Sequence, residues 1–158
     1  MKKALMLLVC VNVASPLFAQ SGPPPPLADR ARGAGRVVVA QVIDVQSRFA
    51  TNRFGDQLIV STVVLDVVET LKGQAARTLN VEIDGGTVGD LTLKVSDLPS
   101  FRPGDRAMFF LDTAGGTLVP HDRGFGLLKV SPAGLIEGSA VTLDQVKRDV
   151  ITALRGGR

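Results

Sequence analysis

Apolar residues recur at every second position along most of this chain, the spacing of a strand that turns one side of its pleat toward a core. The longest such segments are residues 37–49 and 58–71, both rich in Val. Residues 50–57 separate them and carry Asn52, Gly55 and Asp56, the chemistry of a hairpin turn, so the two segments are expected to pair. In the second segment Ile59, Ser61, Val63, Leu65 and Val67 share one side, and Val60, Thr62, Val64, Asp66 and Val68 the other. Both sides are partly apolar, which suits a coiled barrel or a sandwich better than a sheet with one wet side.

Shorter strands follow. Leu79, Val81 and Ile83 alternate with polar neighbours and end at Asp84-Gly85-Gly86, and residues 91–95 form a fourth run. The loop 98–105 closes in a Pro103-Gly104 turn and delivers the chain into the apolar strand 107–111. Ala114-Gly115-Gly116 marks another hairpin. Residues 117–119, 125–130 and 135–136 supply the last strands, with turns at Pro120 and at Pro132-Ala133-Gly134. The period then changes. Thr142 with Gln145 makes a capping box, Val141 and Val146 a hydrophobic staple, and Leu143, Val146, Val150 and Leu154 recur at helical spacing, which predicts a helix over 143–155. Its apolar stripe is expected to cover an end or a side of the barrel.

The N-terminus reads differently. Lys2 and Lys3 precede an apolar run over 4–13 and a small-residue exit ending at Ala19, the pattern of an export signal over 1–19 cleaved after Ala19, with cleavage after Ser21 as the alternative. The run is shorter than the roughly 20 residues that span a bilayer. Cys10 would leave with the signal; a lipid-anchor cysteine would follow a small residue, and here Val9 precedes it. Residues 20–35, rich in Pro, Gly and Ala with Pro23 to Pro26 in a row, read as a semi-rigid spacer. A single domain over 36–158, exported to the periplasm or beyond the cell and with no integral membrane span, completes the expected organisation.

Composition removes most chemistry. Without Cys10 the chain has no thiol; it has no Trp or Tyr, and His121 is its single histidine. Thiol nucleophiles, disulfide scaffolds and multi-histidine metal sites are therefore excluded, and no metal or cofactor is expected. Two of the 18 Lys and Arg lie in the signal, against 15 Asp and Glu, so the mature domain is nearly neutral. With no basic stripe and only Phe49, Phe54, Phe101, Phe109, Phe110 and Phe125 as aromatics, nothing points to nucleic acid.

The remaining candidates are few. His121 sits beside Asp122 in a loop, where Ser96, Ser100 or Ser131 could meet it as nucleophile, but no G-x-S-x-G elbow is present and a surface histidine is the plainer reading. Asp84 and Asp90 bracket Gly85-Gly86-Thr87-Val88-Gly89; two carboxylates fall short of a calcium shell, so the run reads as a glycine-allowed turn. Gly124-Phe125-Gly126 precedes a strand rather than a helix, a bend rather than a phosphate cradle. Asp44 and Asp66 are not a carboxylate pair, because a hairpin centred near Arg53 and Phe54 sets Asp66 opposite Gln41. No residue is assigned a catalytic, cofactor-binding or metal-binding role.

Three motifs carry a resemblance: Val67-Val68-Glu69-Thr70-Leu71-Lys72-Gly73, Gly85-Gly86-Thr87-Val88-Gly89, and Pro99-Ser100-Phe101-Arg102-Pro103-Gly104-Asp105. Over residues 37–130 the chain resembles exported bacterial proteins of no assigned activity that share V-x-E-x-L-K-G, G-G-x-V-G and P-x-F-x-P-G-[ED]. More loosely it is similar to the netrin-like domain of tissue inhibitors of metalloproteinases. The resemblance implies a mainly β fold, a small OB-type Greek-key barrel of five or more strands with one C-terminal α-helix. Those inhibitors chelate their target's zinc through an N-terminal cysteine, whereas cleavage after Ala19 would leave Gln20 first, so that mechanism is not carried over. The expected function is a non-catalytic module that binds protein or peptide through a barrel groove or an edge strand. An inhibitor of a secreted or periplasmic protease is one alternative. A hydrolase using His121 is the other, and it requires the imidazole in a cleft beside a hydroxyl.

Overall fold

Alternating Val-rich segments become strands because each can bury one side in a barrel and, where both sides are apolar, the other beneath a helix. The computed structural model describes residues 23–51 and 55–156. In chain order its elements are helix α1 (Leu27–Gly33) and strands β1 (Arg36–Thr51), β2 (Gln57–Lys72), β3 (Thr78–Asp84), β4 (Gly86–Val88), β5 (Leu91–Leu93), β6 (Arg106–Ala114) and β7 (Thr117–Pro120). A 3-10 turn (Arg123–Gly126), β8 (Leu127–Val130) and helix α2 (Leu143–Arg155) follow. The expected signal over 1–19, with Cys10 and both cleavage sites, lies outside the described residues, as do Arg53 and Phe54. Among the described residues, no helix is long and apolar enough to cross a membrane.

The strands roll into a small OB-type barrel. β1 pairs antiparallel with β2, β2 with β3, and β3 runs parallel to β7 through the single pair Val81 and Leu118. β7 pairs with β6, and β6 returns to β1, with Val38 opposite Phe109, closing a ring of five strands in Greek-key order. β8 lies along the same edge of β6 as β7, opposite residues 106–109, so the 3-10 turn divides what would otherwise be one long last strand. That turn replaces the bend expected at Gly124-Phe125-Gly126, and the strand starts at Leu127 rather than Phe125. Leu135 and Ile136 make isolated bridges only.

Two cores result. Val38, Ala40, Val42, Val63, Leu65, Val81, Ile83, Phe109 and Leu111 fill the barrel. On the outer side of β1 and β6, Val37, Val39, Met108 and Phe110 are covered by Leu143, Val146 and Val150 of α2 and by Ala31 and Ala34. β1 and β6 are therefore apolar on both sides, which is why 37–40 and 107–111 read as unbroken hydrophobic runs. Helix α2 has the expected bounds; Thr142 accepts the Gln145 backbone N–H at 3.2 Å, while the Gln145 side chain turns to Arg148 and Asp149 instead of returning to the cap. Val141, expected to staple onto Val146, is 42% exposed.

The spacer expected over 20–35 is corrected in its second half. Residues 27–33 form α1, and Ala31 and Ala34 are fully buried. Ala is a strong helix former, and without a bulky side chain it brings the helix close to the sheet. Lys72 then satisfies the free carbonyls at the end of α1: its Nζ donates to Ala31, Arg32 and Ala34 at 3.1, 2.6 and 2.5 Å. The folded unit thus begins with α1 rather than at Arg36.

Candidate functional site

One mouth of the barrel stays open. Beyond the stretch of β1 that pairs with β6, the β1–β2 hairpin continues, and the chain between β3 and β6 crosses its end as the β4–β5 ribbon and the loop 94–105. Between them lies a cleft of about 680 Å³. Val63, Ile83 and Phe101 form its floor, Ser47, Ser61, Gly86 and Thr87 one wall, and Lys94, Ser96, Ser100 and Arg102 the facing rim. A concave, apolar-floored site with a few polar groups at a barrel mouth is the usual form of a ligand site.

The wall is built from a register. Ile43 is an extra residue in β1, so the distal hairpin shifts by one and Ser47 comes opposite Ser61. Their hydroxyls lie 2.9 Å apart; Ser61 Oγ donates to Gly85 O at 2.6 Å and Ser47 Oγ accepts from Thr87 N at 3.3 Å. This pair ties the start of β4 to the barrel. Gly86, at φ 132°, lies so close that an added Cβ would overlap both hydroxyl oxygens. The run 85–89, expected to be only a turn, therefore opens a short hairpin, with its tight turn at Gly89-Asp90. That places Asp84 at the end of β3 and Asp90 across the β4 strand from it. Among the described residues no group of three or more His, Cys, Asp or Glu is arranged to hold a metal ion.

The rim rests on the third motif. Phe101 stacks on Phe109 with centroids 5.3 Å apart, Asp105 Oδ2 accepts from Arg102 N at 2.8 Å and from Lys129 Nζ at 2.9 Å, and Gly104 N donates to Val42 O. The G-G-x-V-G and P-x-F-x-P-G-[ED] segments thus face each other across the cleft. The first motif, ending in Lys72-Gly73, holds α1. Asp44 accepts from Val45 N and from the Gln46 side chain, and Asp66 stands opposite Gln41 as expected.

His121 is not the surface-loop histidine expected. Its side chain is 17% exposed, with Nδ1 2.6 Å from Asp112 Oδ2 and Nε2 3.3 Å from Asp122 Oδ2. Both ring nitrogens face carboxylates, and among the described residues neither meets a hydroxyl. Ser96 and Ser100 line the cleft instead, and Ser131 Oγ accepts from Leu135 N in a turn. Hairpin β6–β7 brings Asp112 and His121 together from nine residues apart, and Gly35 N donates to the same carboxylate at 2.8 Å. Asp122 and Arg123 hold φ of 50° and 55°, a left-handed pair costly without glycine. Arg123 is fixed there by two hydrogen bonds to Asp97, which hold the Asp97 carboxyl below its usual range. Arg30 joins the cluster, donating to Phe125 O at 2.7 Å over the Phe110 ring; burial lowers its pKa, partly offset by Asp122. The cluster holds the N-terminal segment onto the barrel.

Burial would raise the Asp112 pKa, but hydrogen bonds from His121 and Gly35 and the charges of His121 and Lys72 outweigh it and hold it below the usual carboxylate range. A depressed folded value contributes stability that is present above the unfolded value of about 3.9 and is lost as pH falls through the folded one. Asp112→Asn is therefore expected to destabilise the protein at pH 5 by more than at pH 3, read as the difference in urea midpoint from wild type. Equal differences at both pH values would show that the carboxylate's charge is not what holds the segment.

No protein-family model and no curated protein matches this chain.

Proposed function

We propose that this chain is an exported, non-catalytic binding module that takes a segment of protein or peptide into the barrel-mouth cleft. The observation that supports it most is the cleft itself: an apolar floor of Val63, Ile83 and Phe101 beneath a rim of hydroxyls and backbone, with a volume suited to a few residues of extended chain. The lone imidazole, occupied by Asp112 and Asp122, gives no hydroxyl nucleophile a base, so turnover is not part of the reading. The export signal belongs to the same proposal.

The test is selection of random displayed peptides on the mature protein, with Thr92→Trp as the control. Thr92 is exposed and lines the cleft, so a Trp there obstructs it without entering the core. Apolar peptides are expected to bind the wild type and to lose binding in Thr92→Trp. If no peptide is enriched, or if enriched peptides bind both proteins equally, the reading is wrong.

A further inference from the structure

Resting on that reading of the cleft, we infer that its occupant is an apolar peptide carrying a carboxylate, which docks on Lys94 and Arg102. Both cations line the same rim, one at each end of the loop that flanks the floor. Among the described residues neither has an acidic side chain within ion-pair distance; nearby cations do, Lys129 with Asp105, Arg123 with Asp97 and Arg48 with Glu82. Asp84 also lines the cleft, but its field is shared with Arg123, whose pKa is raised first by its hydrogen bonds to Asp97 and then by the charges of Asp97 and Asp84. The rim therefore carries a net positive charge with no internal partner over an apolar floor. A guanidinium and an ammonium lining one cleft complement a carboxylate, the Arg able to meet both oxygens.

The rest of the lining selects peptide over a fatty acid. Among the described residues the Ser96 and Ser100 hydroxyls, on the same rim, make no hydrogen bond, so a ligand with amide groups can satisfy them, while an alkyl chain would bury them unpaired. The carboxylate can come from an acidic side chain or from a peptide C-terminus, which share this chemistry.

The experiment measures binding of the mature protein to the pentapeptide Val-Leu-Glu-Phe-Val blocked at both ends, its Gln counterpart blocked at both ends, the Gln counterpart with a free C-terminus, and decanoate. A carboxylate-bearing peptide is expected to bind roughly fivefold more tightly than the fully blocked Gln peptide, from the usual worth of a partly exposed charged pair. That gain is expected to shrink with salt and to vanish in Lys94→Gln/Arg102→Gln. The Glu and free-terminus arms separate the two sources, and a gain in either supports the inference. If the neutral peptide binds as well as both acids, in a manner lost in Thr92→Trp, the cleft reading stands and the carboxylate inference falls. If decanoate binds more tightly than every peptide, the commitment to peptide is overturned. If nothing binds, both fail.

Discussion

Replacing Ala31 by aspartate is expected to lower the unfolding free energy by about 3 kcal/mol, the usual cost of forcing a charge without a partner into an apolar interior. Ala31 is fully buried in the apolar cluster that joins the sheet to α2, which includes Val37, Val39, Met108 and Phe110. The helix can escape only by undocking, which would release the Lys72 ammonium from its three carbonyls and bare the apolar outer side of β1 and β6. Undocking therefore sets the ceiling on the loss. Urea denaturation followed by circular dichroism measures it. A tether, which is what the composition of 20–35 suggested, would tolerate the change within about 0.5 kcal/mol, and that outcome would detach α1 from the fold described here.

The reason α1 escaped a reading of the sequence is local. Four consecutive prolines dominate the segment, and the helix that follows is two turns long, too short to display a period. Its identity is written in what it touches: the two alanines that leave room for the sheet, and Lys72, forty-one positions away from Ala31. The barrel strands were legible because burial on one or both sides prints itself as alternation or as an unbroken run, and α2 because Thr142 and its stripe agree with each other. Register was legible only in part. A turn at 53 and 54 sets Asp66 opposite Gln41 correctly, but carried along the hairpin it would set Ser47 opposite Val60. The extra residue at Ile43 shifts the distal half, and with it the hydroxyl pair that builds the cleft wall. Nothing in the side chain of Ile43 announces a bulge. Likewise the histidine's neighbours on its own loop gave Asp122 but not Asp112, which only strand pairing supplies.

Phe109→Ala carries the second large expected effect, about 3–5 kcal/mol, because a fully buried ring at the centre of a small barrel leaves a cavity that its closed ring of strands cannot collapse to fill. Part of that loss is shared with Phe101, whose ring stacks on it at a 32° tilt, and aromatic pairs couple by about 0.5–1.5 kcal/mol beyond their buried area. A double-mutant cycle with Phe101→Ala is therefore expected to return a coupling energy in that range. The link matters for function, since Phe101 belongs at once to the barrel core and to the cleft floor. Loosening its partner should leave the floor less well defined and weaken peptide binding, even where enough stability remains for the protein to be folded. Mild urea that does not unfold Phe109→Ala gives the comparison: the expected result is lowered affinity in the variant alone. Unchanged affinity at full cavity cost would mean that Phe101 is positioned by its own loop, through Asp105 and Gly104, and not by the core beneath it.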